Sequence, residues 1–175
     1  LPAEYRQSHA RRRAQPWQVI VVALFATLIG ASATGQWYAG RHAAGELASK
    51  LATDIVPLTY GKLLDRDPAE ALLAAVRDAN AQIHNRGNAN DDFRGMGTTA
   101  SALALTPLGA VVGHVGDSRV YRLRGSRLEQ LTFDHSLVWE LRHAKHAPPD
   151  SAALFIPKNI ITRSLGPNAQ VQVDI

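Results

Sequence analysis

The sequence predicts an α+β fold, and three observations carry that prediction. Two amphipathic helical stretches come first, short β-like runs separated by turns follow, and the two kinds of element do not alternate as in a β-α-β chain. With 175 residues and an apolar fraction of 46%, the chain has the length of one domain and the material for a core.

Taken in order, Ala14 to Gly40 carry no charged residue, and Val19 to Ile29 are almost wholly apolar. Arg11-Arg12-Arg13 precede this segment, and Trp17 and Trp37-Tyr38 bracket it. A basic flank, interfacial aromatics and roughly 20 apolar residues are what a membrane helix needs, so residues 17–37 read as a candidate span. Gly30 to Gly35 weaken its second half, and the β-branched run "VIVVALF" equally suits one or two buried strands. Residues 1–38 are therefore set apart as an atypical N-terminal segment, and 39–175 are read as a partial domain.

Beyond Gly40 the pattern changes. "HAAGELASKLATDIV" spaces Ala44, Leu47, Leu51 and Ile55 three and four apart, which predicts one apolar helix face. "DPAEALLAAVRDANAQIHNRG" predicts a second helix. Asp67 stands at its N-cap, Pro68 in the first turn and Glu70 at the capping-box position. Leu72, Leu73, Val76, Ala79 and Ile83 form its expected buried stripe, and Gly87 its expected end.

"NANDDFRGMG" reads as a polar, glycine-bearing loop. The runs "TTASALALT", "AVVGHV", "RVYRLR" and "RLEQLT" read as antiparallel strands, punctuated by Pro107-Leu108-Gly109 and Gly125-Ser126. "SLVWELRHAKH" is expected to be a short helix started by Asp134 or Ser136. "NIITRSLG" and the alternating "QVQVDI" close the sequence, which reads as a piece of something longer.

Composition excludes some functions. With no cysteine there is neither a disulfide nor a thiolate zinc site. Net charge is +4, but the basic residues are dispersed apart from the one Arg triplet, and no aromatics interleave with it, so no nucleic-acid partner is expected.

In order along the chain, "HAAGELAS", "DPAEALLAAVRDANAQI", "RGMGTTASALAL", "GHVGDSRVYRLRGSRLEQLTFDHSLVWEL" and "NIITRSLG" resemble successive motifs of the bacterial metal-dependent protein phosphatases, the PPM or type 2C family. The resemblance runs from about Arg41 to Ile175. It implies a β-sandwich of two antiparallel sheets flanked by helix pairs, incomplete at the C-terminus. It also implies phosphoserine and phosphothreonine hydrolysis by a water bridging two Mn²⁺ or Mg²⁺ ions, with a third, weaker ion in some members. Two hard ions lower the pKa of bound water and neutralise the phosphoryl oxygens, and they need converging carboxylates. The partners implied are phosphorylated proteins and a cognate Ser/Thr kinase, in the cytoplasm, with membrane attachment if 17–37 form a span.

The carboxylates do not follow the scaffold. By resemblance, the family's N-E-D motif falls near Gln15-Pro16-Trp17, and its D-G-M-G-G motif on Trp37-Tyr38-Ala39-Gly40-Arg41, with Trp37 where the bridging aspartate belongs. The remaining metal aspartates of the family would lie beyond Ile175. No catalytic residue is assignable, and Asp117, in Gly-Asp-Ser-Arg, is the candidate ligand of an auxiliary metal. Asp117 and Ser118 equally suit a tight turn in which short polar side chains bond backbone amides.

The other polar residues have structural expectations. His114 is read as a satisfied core histidine, Asp134-His135-Ser136 as a helix start, and Arg119 and Arg122 as a solvated strand face or as contacts to phosphate. Thr98 and Thr99 are expected to pack beneath the site, and His143 to Asp150 to form the family's flap.

Three explanations compete for the unmatched front: a membrane-tethered inactive relative, a soluble pseudophosphatase whose apolar segment supplies sandwich strands, or a stretch read out of frame. For the last, codons for Gln36-Trp37-Tyr38-Ala39 read one nucleotide later give Asn or Ser, then Gly, then Met or Thr. The expected activity is that of a Ser/Thr phosphatase, with this chain inactive as written. The alternative is a regulatory or phosphoprotein-binding module.

Overall fold

A computed structural model describes residues 19–22, 35–144, 157 and 159–175. The elements are β1 (Val19–Val22), α1 (Gly35–Gly61), α2 (Pro68–Asn88), β2 (Ala100–Thr106), β3 (Gly109–Val115), β4 (Tyr121–Arg124), β5 (Arg127–Gln130) and α3 (Leu137–His143). Among the described residues they form an α+β fold with two antiparallel sheets, of order β1-β2-β3 and β4-β5.

Two parts of the apolar front are described, one a strand and one a helix. Val19–Val22 pair antiparallel with Ser101 to Ala104 of β2, so these residues are a strand and not part of a lipid-spanning helix. Gly35–Gly61 form α1, which carries Trp37 and runs through the boundary drawn at residues 38 and 39. Among the described residues no helix is long and apolar enough to cross a membrane, and residues 23–34 of the candidate span lie outside them. Arg11 to Trp17 lie outside the described residues.

Both long helices cover one face of the three-stranded sheet. Small side chains allow the approach: Ala100, Ala102 and Ala104 of β2 share the core with Ala48, Ala52 and Val56 of α1 and with Leu72, Ala75, Val76, Ala79 and Ile83 of α2. The apolar face of α1 is wider than the expected one. Ala44 and Ile55 are buried as the spacing predicts, Ala48, Ala52, Val56 and Tyr60 are buried beside them, and Leu47 and Leu51 pack at the margin. The helix also continues past Pro57, because the buried Val56 and Tyr60 anchor the turn on either side of the missing N–H.

Helix α2 follows its sequence closely. The Asp67 side chain accepts from the backbone N–H of Ala69 and of Glu70, as an N-cap does. Its buried stripe includes Ala71, Ala75 and Asn80, whereas Leu73 is half-buried. Gly87 lies inside the last turn and not beyond it. A Cβ there would stand 3.0 Å from the Phe93 carbonyl oxygen, so the glycine lets the Asp91–Phe93 turn pack against the helix.

Strands β2 and β3 form a hairpin across Pro107-Leu108, with Leu103 opposite Val112 and Ser101 opposite His114. Gly113 faces Leu72, whose side chain would lie 3.1 Å from an added Cβ. Strands β4 and β5 form a second hairpin over Gly125-Ser126, with Leu123 opposite Leu128. The closing segments make isolated bridges, Ser136 to Ile161, Thr98 to Leu165 and His114 to Asp174.

Candidate functional site

The site is built where β3 ends. Gly116 adopts φ +117°, and an added Cβ would lie 2.3 Å from Thr99 Cγ2, so only glycine fits between the strand and β2's entry. The turn carries Asp117, half-buried. Among the described residues no group donates a hydrogen bond to its carboxylate, so the expectation that it caps backbone amides is not met. Ser118 turns inward instead, its Oγ 2.9 Å from Thr99 Oγ1. Thr98 and Thr99 are buried beneath this turn, as expected.

The remaining polar residues are closed upon one another. Arg119 Nε lies 2.8 and 3.1 Å from the two Asp134 oxygens, a bidentate pair. Arg122 pairs with Glu129 across the hairpin at 2.6 Å on the surface. Both guanidinium groups thus have a carboxylate partner. Ser136, not Asp134, is the N-cap of α3, accepting from Trp139 N–H.

His114 is the satisfied core histidine the sequence predicts, only 1% exposed. Its Nε2 lies 3.0 Å from the Gly116 carbonyl and 3.2 Å from the Phe133 carbonyl, both acceptors, so Nε2 bears the proton. Nδ1, 2.9 Å from Ser101 Oγ, then accepts from the serine hydroxyl. Burial first, and the neighbouring His135 ring second, push the His114 imidazole below its ordinary pKa.

Sequence reasoning missed a second cluster. His135 is also 1% exposed, with its ring centroid 5.0 Å from that of His114. Its Nδ1 accepts from Gly116 N–H at 2.9 Å, and its Nε2 lies 2.9 Å from Asp174 Oδ2. Arg163 Nη1 donates to the other Asp174 oxygen at 3.0 Å. Burial alone would raise the Asp174 carboxyl, but the hydrogen bonds from His135 and Arg163 outweigh it and push it down. The one sequence hint was a lone acid in the alternating apolar run "VQVDI".

Helix α2 fastens the loop that follows Leu165. Asn80 Oδ1 accepts from Gly166 N–H at 2.8 Å, and Asn80 Nδ2 donates to the Asn168 and Ala169 carbonyls. Gly166 has φ +105°, and an added Cβ would stand 2.4 Å from the Met96 carbonyl oxygen. The loop thereby presses on Met96 and Gly97, the stretch leading to Thr98 and Thr99.

This geometry has known counterparts. Residues 34–139 match the family model "Protein phosphatase 2C". The chain belongs to the protein phosphatase 2C family. It is 38% identical over 138 residues to the protein phosphatase PhpP of Streptococcus pneumoniae, covering 77% of this chain and 56% of that protein. It is 35% identical over 139 residues to the serine/threonine phosphatase stp of Listeria monocytogenes, covering 77% and 55%. Among solved structures, a serine/threonine phosphatase from Staphylococcus aureus superposes with a TM-score of 0.63 at 29% identity, covering 89% of this chain and 57% of that one. One from Mycobacterium tuberculosis superposes at 0.63 and 27%, covering 90% and 71%. The chain thus spans little more than half the length of the curated phosphatases it matches.

Membership of the 2C family implies Mn²⁺ or Mg²⁺, and the described residues do not supply a paired-metal ligand set. No group of three or more His, Asp or Glu side chains converges among them. Asp134 and Asp174 are committed to arginine and histidine, and both buried imidazoles have partners on each nitrogen. Trp37 lies on α1 with no oxygen to offer. Asp117 is the carboxylate left open at the turn. Gln15 to Trp17, the N-E-D position, and Pro148-Pro149 of the expected flap lie outside the described residues.

Proposed function

We propose that this chain carries the scaffold portion of a phosphoserine and phosphothreonine phosphatase domain, and that Asp117 is a donor to an auxiliary Mn²⁺ or Mg²⁺ ion at its edge. The observation that carries the reading is the Asp117 carboxylate with no donor among the described residues, on a turn that requires Gly116, within a chain of the 2C family. Hard divalent ions take oxygen donors such as this one. The substrates are phosphorylated proteins, with a Ser/Thr kinase as the opposing enzyme.

On this reading residues 39–175 are the phosphatase portion. The paired-metal carboxylates belong to parts of the domain outside it, and the 175-residue chain alone releases no phosphate. The test compares Mn²⁺-dependent phosphate release from a phosphothreonine peptide by two proteins. One is the chain itself. The other is a chimera in which the pneumococcal relative supplies the segments before residue 41 and after residue 175. The chimera is expected to turn over and the chain not. In the chimera, Asp117→Asn is expected to raise the Mn²⁺ concentration for half-maximal rate about tenfold, as loss of one charged oxygen donor would. Turnover by the chain alone, or a folded chimera without activity, overturns the reading.

A further inference from the structure

Gly116 is gripped at both of its backbone polar groups by one residue. Its N–H donates to His135 Nδ1 at 2.9 Å, and its carbonyl accepts from His135 N–H at 2.8 Å. An N–H can only donate, so Nδ1 is unprotonated and Nε2 carries the proton. That proton points at Asp174 Oδ2, 2.9 Å away, and the other Asp174 oxygen is held by Arg163 at 3.0 Å. The Asp174 backbone is itself fixed, exchanging both hydrogen bonds with His114 at 2.8 and 3.0 Å. The His135 carbonyl accepts from Thr162 N–H at 2.9 Å, so the same residue also ties the 160–163 segment to the turn.

These contacts form one line, Arg163 to Asp174 to His135 to Gly116, ending one peptide bond before Asp117. We propose that His135 is a positioning residue that holds the Gly116-Asp117 turn in register with the C-terminal segment through a single neutral tautomer. The proposal deepens the reading of Asp117 as a metal donor and rests on it for its purpose, but the hold itself is a property of the metal-free chain. A helix-starting histidine with a merely local role would not need both ring nitrogens engaged across a sequence separation of 39 residues on one side and 19 on the other. The carboxylate fixes the ring orientation, and the ring fixes the amide, much as a buried acid orients an imidazole elsewhere in proteins.

The side chains that mimic each ring nitrogen separate the two contacts. Asparagine places its amide oxygen where Nδ1 lies and can still accept from Gly116, whereas glutamine reaches toward the Nε2 position and cannot. In the metal-free full chain, ¹⁵N spectra are expected to show His135 protonated at Nε2 and bare at Nδ1. Amide exchange at Gly116 is expected to accelerate about tenfold in His135→Gln and about threefold in His135→Asn, which keeps the Gly116 contact but loses Asp174, while β2 and β3 amides stay protected in both. An Nδ1-protonated tautomer, or exchange at Gly116 equally fast in the two variants, overturns the proposal. Mn²⁺-induced relaxation at the Asp117 and Ser118 amides of the parent chain reads the metal assignment separately. Its absence sinks the metal assignment and leaves the exchange result standing.

Discussion

The two hairpins of this chain share a design and differ in fate. Each has antiparallel strands and a two-residue turn, over Pro107-Leu108 in one and Gly125-Ser126 in the other. In β2–β3 the buried residues are mostly small, with Ala100, Ala102 and Ala104 set under two helices. In β4–β5 the larger Leu123 and Leu128 stand 69% and 65% exposed. Burial in this molecule follows what an opposing layer can approach, not how apolar the side chain is. The alanines let helices close upon the sheet.

The glycines of the two regions give the sharpest way to break this contrast. Gly116→Ala forces a left-handed φ of +117° on alanine and drives its Cβ to 2.3 Å from Thr99, so denaturant unfolding is expected to show a loss of roughly 3 kcal/mol or more. Gly125→Ala, at φ +61° with nothing near its Cβ, should cost about 1 kcal/mol. Equal losses would mean that the β3 turn is no more constrained than a surface hairpin.

Leucines extend the same test at smaller scale. Leu72, fully buried against Gly113, is expected to cost about 3 kcal/mol when changed to Ala. Leu123→Ala is expected within about 0.5 kcal/mol of the parent in the same unfolding assay.

Acid probes the packed region alone. Burial holds the His114 imidazole below its ordinary value of 6.5, so the unfolded chain binds the proton first. That contribution to stability is complete above 6.5 and declines as pH falls below it toward the folded value. Unfolding midpoints should therefore drop between about pH 7 and about pH 5, and a flat profile would deny the buried neutral ring. Smallest of all, Arg122→Ala removes an exposed cross-strand pair and is expected to change stability by less than about 0.5 kcal/mol.

Much of the scaffold was legible because its cues are local. Asp67, Pro68 and Glu70 announce α2 by chemistry confined to one turn, and Pro107-Leu108 and Gly125-Ser126 mark the two hairpins. Short-range pattern also sufficed for His114 as a core histidine, since it sits in an apolar run. The α1 face was legible in part: Ala44 and Ile55 are buried as their spacing suggests, but the close-packed interface selected Ala48 and Ala52 over Leu47 and Leu51. The partners of His135 and Asn80 were not legible. His135 binds Gly116 19 residues back and Asp174 39 residues on, and Asn80 binds Gly166 86 residues on, relations that no window of local sequence contains. The apolar front was ambiguous for a related reason. Strand pairing of Val19–Val22 with β2 is a long-range event, and composition alone suits lipid as well as sheet.

The Asn80 latch has a consequence for how the chain is made. Its amide sits at 1% exposure in the middle of α2, and its partners are Gly166, Asn168 and Ala169, separated from it by 86 to 89 residues. While synthesis proceeds from the N-terminus, the helix emerges long before the loop that satisfies it. Until residue 169 has left the ribosome, the helix surface destined for the interior still carries a hydrated amide. Docking of α2 in its finished form therefore waits on residues 166–169, and the helix that forms early by local rules is completed only when they arrive.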